Sequence, residues 1–339
     1  MTPRPALLIT IDTEGDNQWA RPRTITTENA RHLDRFQDLC RRHGLKPTYL
    51  TNYEMAVCPT FVRFGREVLR DRAGEIGMHL HAWNSPPLDR PLTADDHDRH
   101  PPLIAYPREV IRAKVAYMTR LLEDTFAIDM VSHRAGRWGL DGVYLAALMA
   151  NGYKVDCSVT PHMHWRYGIL DSGRERIVDY RTAPEHPYRP SLEDVARPGG
   201  TGLLELPMTV VSLDPRPLRS LRNRLDPNSL AARAFARLRP PHVWLRPRRG
   251  NLPRMQWLLD EVLRQKRGYA QLVLHSSELM PGGSPYFPHA NDIEALYRDL
   301  ELLFGYARDR FIGATVGAFA ASIAGSNAVS TGDSACSSR

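Results

Sequence analysis

Residues 6–14 read ALLITIDTE, and the way this run ends decides how the chain is read. From Ala6 to Ile11 it is apolar except for Thr10, and then it stops on Asp12 and Glu14. A short apolar run of this kind fits a strand buried on both faces, as in a parallel sheet. Similar runs recur at Pro47–Thr51, Glu75–Leu80, Met130–His133, Lys154–Val159, Leu203–Leu206 and Gln271–Leu274. Helical patterns lie between and after them. Asn29–His43 places Ala30, Leu33, Phe36 and Cys40 on one side, and Gly44 follows as a stop. Glu109–Phe126, Leu140–Asn151, Leu252–Arg267 and Asp292–Arg308 carry the same period. This alternation argues an α/β fold, either an open doubly wound sheet or a closed barrel. Several runs end in a chemically capable residue: Asp12, His81, Arg134, Glu205 and His275. Functional groups at the carboxyl ends of many strands are the habit of a (β/α) barrel, whereas an open sheet gathers its site at one switch point. A distorted (β/α) barrel over residues 1–323 is therefore expected. Residues 324–339, rich in Ser, Gly and Ala, read as a disordered tail.

Composition narrows the class. Of 339 residues, 42% are hydrophobic and 24% charged, which excludes global disorder. No stretch has the strongly apolar ~20 residues of a membrane span, and the first apolar run is too short for a secretory signal. A cytoplasmic protein is expected. Cys40, Cys58, Cys157 and Cys336 show no C-x-x-C spacing, so neither a disulfide framework nor a thiolate metal knuckle is indicated.

The basic charge is concentrated. Between Arg216 and Arg254 stand eleven arginines and one acid, Asp226, so this segment outweighs the formal +7 of the whole chain and leaves the remainder slightly acidic. The arginines are mixed with Leu, Phe and Trp. Such a stretch suits an anionic membrane surface or a phosphorylated ligand, or is simply a solvated insertion. No nucleic-acid motif accompanies it, so nucleic acid is not an expected partner.

Four clusters carry chemistry. In Asp12-Thr13-Glu14, two carboxylates share one side of the strand if it continues, a costly pairing unless a cation or guanidinium lies between. In Glu75–Trp83, His79 and His81 share one face and offer two imidazoles to one metal. Two His and one carboxylate leave open the positions that a hydrolytic metal needs. In Ser132–Gly139, Arg134 and Arg137 sit in a tight loop, and Arg134 can orient a carboxylate. In Leu272–Glu278, His275 follows directly on an apolar run, placed to act as a general acid. Each motif alone also has a plain structural reading as a loop, cap or core residue. A second H-x-H, His162 and His164, competes for the metal.

In this order, D-x-E, E-I-G-x-H, R-A-G-R-W-G and L-V-L-H, the motifs resemble the NodB-type polysaccharide deacetylases (family-four carbohydrate esterases), and most of all the WalW-like branch. The resemblance runs from about Ala6 to Phe319. It implies a distorted (β/α) barrel, one divalent metal (most often Zn²⁺, otherwise Co²⁺, Ni²⁺ or Fe²⁺), and removal of an N-acyl group from an amino sugar. It implies Asp12 as catalytic base, Arg134 as its partner and His275 as general acid. It implies Glu14 and His79 as metal ligands and Asp156 as a later aspartate near the substrate. The family's second histidine falls four residues after the first, where this chain has Trp83, so His81 is taken as the replacement. Trp83, Arg137, Trp138 and Trp165 are expected to meet the sugar. The expected substrate is an amino-sugar glycan or a phosphate-, nucleotide- or lipid-linked intermediate. Rival readings are a glycan-binding pseudoenzyme without turnover, a metal amidohydrolase acting on another small amide, and a membrane adaptor working through the basic segment.

Overall fold

The structure, a computed structural model, describes residues 4–168, 175–225, 229–230 and 242–332. Its strands are β1 (Ala6–Thr13), β2 (Thr48–Thr51), β3 (Glu75–Leu80), β4 (Ser132–Ala135), β5 (Val155–Asp156), β6 (His164–Gly168), β7 (Glu175–Asp179), β8 (Leu204–Glu205), β9 (Val210–Ser212), β10 (His242–Trp244), β11 (Tyr269–His275) and β12 (Ile312–Ala314). The main sheet runs β11-β1-β2-β3-β4-β5-β8, and every neighbouring pair is parallel. β12 pairs with β1 over Ala6–Leu8, beside the position where β2 takes over at Thr10. β6–β7 and β9–β10 are separate antiparallel pairs.

The curled sheet is a distorted (β/α) barrel, as the strand-end residues suggest. Its ends, β8 and β11, are not joined by a regular ladder. The chain leaving β8 bridges them instead. Thr209 Oγ1 accepts from Gln271 N at 2.8 Å, and Leu245 N donates to Thr209 O at 3.3 Å. Val273 N then donates to Leu245 O at 3.1 Å. Part of the basic segment therefore helps to close the barrel, rather than lying wholly outside it.

Strand alternation sorts the core into two layers. Leu7, Ile9 and Ile11 of β1 join Ile76, Met78 and Leu80 of β3 and the helix faces in one large outer cluster. Leu8, Leu50, Val155, Cys157, Leu204, Leu206 and Tyr269 form a second cluster inside the barrel, with Val316 and Ala320. These last two belong to the helix Val316–Gly332, which seals the amino-terminal end. Its first amides find partners on the sheet, Val316 N donating to Thr48 Oγ1 at 3.0 Å and Gly317 N to Glu75 Oε2 at 2.8 Å. The boundary expected at 324 falls inside this helix, and residues 333–339 lie outside the described residues. Each fully buried Leu, Ile or Phe contributes roughly 1.5–3 kcal/mol. The inner layer is apolar at its base and polar at the opposite end, where Thr10, Asp12, His79, Arg134 and His275 continue the inward positions.

Candidate active site

The inward positions converge at the carboxyl end of the barrel. Asp12 and Glu14 come from the end of β1, His79 and His81 from the end of β3, Arg134 from β4 and His275 from the end of β11. Two-residue spacing at a strand end keeps both members of each pair on the lumen side.

Glu14, His79 and His81, all buried, have ligand atoms that lie within 4.8 Å of one another. Glu14 Oε2 is 2.8 Å from His81 Nε2 and 3.7 Å from His79 Nε2, and the two Nε2 atoms are 3.1 Å apart. Donors about 2.0–2.1 Å from a tetrahedral Zn²⁺ would be separated by roughly 3.3 Å, and these distances bracket that value. His79 Nδ1 donates to Arg134 O at 2.9 Å, which fixes the tautomer and turns the Nε2 lone pair toward Glu14. Burial lowers the proton affinity of His81 despite its contact with Glu14, which favours the neutral ring that ligation needs. Burial opposes ionisation of Glu14, but the neighbouring His79 and His81 imidazoles, with His275 nearby, outweigh it and hold the carboxyl well below its usual range. The three residues thus fit a divalent cation. His162 and His164 are not part of this group; His162 Nε2 instead lies 3.0 Å from Glu185.

The loop around Glu14 is pinned. Glu14 N donates to Ser276 Oγ, and Glu14 O accepts from Asn29 Nδ2 at 2.7 Å and from Ser276 Oγ at 2.9 Å. Asp16 accepts from the amides of Glu28 and Asn29, each at 2.9 Å, so the last acid of D-T-E-G-D caps a short helix rather than joining the site.

Asp12 pairs with Arg134, a residue with no exposed surface. Arg134 Nη1 donates to Asp12 Oδ1 at 2.6 Å, Nε to Cys157 O at 3.1 Å and Nη2 to Thr10 Oγ1 at 2.8 Å. Burial pushes the Asp12 carboxyl up, but the Arg134 charge, with His79 and His275 nearby, brings it below the ordinary carboxylate range. The other oxygen, Oδ2, faces His275 Nε2 at 3.8 Å. His275 Nε2 is equally 3.8 Å from Glu14 Oε1. Its Nδ1 accepts from Arg246 Nη2 at 3.0 Å, so in the neutral ring the proton resides on Nε2, the atom facing the two carboxylates.

The remaining expected contacts divide. Trp138 lines the cavity and stands with Trp165 and Trp244 as an aromatic wall, with ring centroids 5.6–6.4 Å apart. Arg137 lines it too, with Nη1 donating to His100 O. Trp83 borders the cavity too but is only 6% exposed, its ring tilted against His81 at 4.2 Å and stacked on His100 at 4.1 Å. Its place is that of a buttress behind His81 more than a platform for a sugar. Asp156 does not reach the cavity. Val155 and Cys157 take the lumen-facing positions of β5, so Asp156 points to the helix layer. There it meets His133 Nδ1 at 2.5 Å and Ser158 N at 2.8 Å, and His133 Nε2 meets Tyr144 Oη at 2.7 Å. A direct substrate contact through Asp156 is incompatible with that position.

Several residues enter the site that the motifs did not mark. Trp19 packs edge-on to His275 with centroids 4.9 Å apart. Arg246, Arg248 and Trp244 arrive from the basic segment. Glu278, fully buried, accepts from His275 N at 2.9 Å and from Arg246 Nη2 at 2.9 Å. Burial would raise Glu278, but Arg246 and the His275 contacts pull it down to about 2. Its His-x-x-Glu spacing is that of a capping box, and this was its one signal in the sequence. The cavity has a volume of about 890 Å³, toward the large end of ordinary ligand clefts.

No protein-family profile and no curated sequence matches the chain. Solved structures do resemble it. An inferred glycoside hydrolase/deacetylase from Parabacteroides distasonis superposes with a TM-score of 0.57 at 11% identity, over 93% of this chain and 70% of that one. At that identity the likeness is one of fold. An inferred polysaccharide deacetylase from Mycobacterium smegmatis gives a TM-score of 0.48 at 13% identity, over 93% and 89% of the two chains. A family-four carbohydrate esterase pseudoenzyme from Bacillus anthracis gives 0.42 at 10% identity, over 94% and 66%.

Proposed function

We propose that the protein is a metal-dependent carbohydrate N-deacetylase, a hydrolase that removes an acetyl or other acyl group from the nitrogen of an amino sugar. The observation that carries this reading is the placement of an arginine-held carboxylate, Asp12, between a Glu-His-His donor triangle and a tautomer-fixed histidine, His275. A divalent cation held by Glu14, His79 and His81, zinc being the first choice, would polarise the acyl carbonyl and make a water acidic enough to attack at neutral pH.

The chain's own groups supply the proton transfers. Asp12, ionised because Arg134 faces it, takes a proton from the attacking water on Oδ2. The new C–O bond converts the amide carbon to a tetrahedral centre. The amide nitrogen takes a proton from His275 Nε2 as the C–N bond breaks and the amine leaves, and the proton that Asp12 took up replaces it on Nε2, 3.8 Å from Oδ2, so that both groups end in their starting states. Arg246 donates to His275 Nδ1 and so leaves Nε2 as the donor atom, while Glu278 anchors Arg246 and the His275 backbone N–H. Trp138, Trp165 and Trp244 offer ring faces and edges to sugar CH groups. Arg137 borders the same space.

The test is acetate release from N-acetylated glucosamine oligomers by zinc-loaded protein, with Asp12→Asn beside it. Turnover by wild type and its loss in a variant that still binds zinc support the reading. Retained turnover in Asp12→Asn defeats the assignment of the base, and sugar binding without any acetate release would turn the reading toward a glycan-binding pseudoenzyme.

A further inference from the structure

The basic segment reaches into the cavity on the His275 side, and there its charge is not balanced. Arg246 donates to His275 Nδ1 and Glu278, and Arg248 Nη1 lies 3.4 Å from the same Glu278 oxygen. One buried carboxylate thus serves two guanidinium groups. Arg254 borders the cavity from the first turn of the helix Leu252–Arg264 and is exposed. Three positive charges face one negative, an excess of two. Arg249 is left out of this count because Asp292 lies 3.4 Å from it.

Independent features point to the same missing anion. Arg246 Nε is buried without a hydrogen-bond partner, although a buried guanidinium donor normally finds one. Arg248 Cζ sits over Tyr286, 3.3 Å from the ring centroid, and burial together with Arg246 disfavours its charge. Asn251 ties down the arginine strand instead of capping its helix: Oδ1 accepts from Arg248 N at 2.8 Å and Nδ2 donates to Arg246 O at 2.8 Å. The amino end of the helix Leu252–Arg264 therefore has no side-chain cap, adding a partial positive charge at the same place.

We propose that the amino-sugar substrate carries a phosphoryl group, seated against Arg246, Arg248 and Arg254. This rests on the deacetylase reading for the orientation of the substrate. His275 is the group that protonates the departing nitrogen, so whatever lies beyond it belongs to the sugar half and not to the acyl half. An excess of two charges suits a phosphate monoester dianion or a diphosphate, and Arg forks match phosphoryl oxygens in geometry.

The experiment is calorimetric titration of zinc-loaded protein with N-acetylglucosamine, N-acetylglucosamine 1-phosphate and uridine diphosphate N-acetylglucosamine, with acetate release measured on the same samples. At least tenfold tighter binding of a phosphorylated sugar than of the neutral one is expected. That ratio should fall toward one in Arg248→Gln and in Arg254→Gln, the latter an exposed position that keeps the test alive should Arg248→Gln not fold. Preference for the monoester or the diphosphate identifies which phosphoryl source the site takes. Equal affinities for neutral and phosphorylated sugar, or a ratio unchanged in Arg254→Gln and Arg248→Gln, overturns the proposal. Binding preference without acetate release would refute the deacetylase reading while leaving the phosphoryl site standing. Acetate release with no preference would do the opposite.

Discussion

Gly136→Ala is the perturbation that tests the site geometry most directly, because it alters no polar group. A Cβ at this position would lie 2.5 Å from His81 Nδ1 and 2.5 Å from Leu80 O. Ordinary contact begins near 3.4 Å, so about 0.9 Å must be found. The Leu80 carbonyl belongs to a strand paired with Leu80↔Ala135 in register, so it yields little. The His81 ring lies against Trp83, tilted by 38° with centroids 4.2 Å apart, and Trp83 in turn stacks on His100 at 4.1 Å. Displacement must pass through that stack. Metal–ligand distances tolerate about ±0.2 Å, so a shift several times larger removes His81 from the triangle. Loss of a group that orients a ligand costs 10–100-fold in metal affinity, and loss of a ligand should cost at least that. Overpacking should cost about 1–3 kcal/mol of fold stability. The assay is zinc competition against a chromophoric chelator, with thermal unfolding of the metal-free protein alongside. Gly139→Ala, where the nearest atom lies at 3.3 Å, is the control. Zinc affinity within twofold of wild type in Gly136→Ala would refute the reasoning, since His81 would then be shown not to need its observed place.

Other expectations follow from the same geometry. Asp12→Asn should lower turnover by roughly 10²–10⁴-fold with zinc content unchanged. It should also destabilise the fold by about 3–5 kcal/mol, because the fully buried Arg134 is left charged without its carboxylate partner, and denaturant unfolding reads that loss. Glu278 has a folded value of about 2 against an ordinary 4.5, so it stabilises the fold at neutral pH by on the order of 3 kcal/mol. A depressed value means that this contribution is present above pH 4.5 and is lost as the pH falls toward 2. Glu278→Gln should therefore be less stable than wild type at pH 7, with the gap narrowing as urea unfolding is repeated from pH 5 to pH 3; a constant gap would count against the assignment. Trp244→Ala should raise KM for a glycan substrate roughly 2–12-fold with kcat little changed, the worth of one aromatic contact.

The barrel was legible because its strands are short, apolar and terminated by polar residues. The apolar runs at Ala6–Ile11, Glu75–Leu80 and Gln271–Leu274 all correspond to observed strands. Less of the site was legible. Asp156 is expected near the substrate only through the resemblance, but Val155 and Cys157 on either side are the lumen-facing pair, and alternation alone assigns Asp156 to the other face. Trp19, Trp244 and the Arg246–Arg248 pair could not be read, since they come from segments without regular period whose approach to the barrel mouth depends on tertiary closure. The segment from Arg216 to Arg254 looked separable by charge, yet Leu245 lies in the seam between β8 and β11. Its residues 226–228 and 231–241 lie outside the described residues, and those described place Arg246 and Arg248 at the cavity. Among the described residues no helix is long and apolar enough to cross a membrane.

The spacing of the two histidines has a physical consequence that links fold to site. Two residues after His79 the chain is still extended enough for alternation to point His81 inward, and both Nε2 atoms then fall on the Glu14 side, 3.1 Å apart. Four residues after His79 the chain has left the strand, and Trp83 there lies against His81 from behind. The position that holds a ligand in the resembled pattern is occupied here by the residue that supports the His81 ring. His81 Nδ1 has no hydrogen-bond partner and faces the gap left by Gly136. With no acceptor to orient the ring from that side, stacking and steric confinement must do it, so Trp83 and Gly136 act as one unit. Trp83→Leu should then weaken zinc binding in the same range as Gly136→Ala, and the double variant should weaken it by less than the product of the two. A double variant showing the full product would mean that the two residues act on the metal residues independently, and the stack would lose its role.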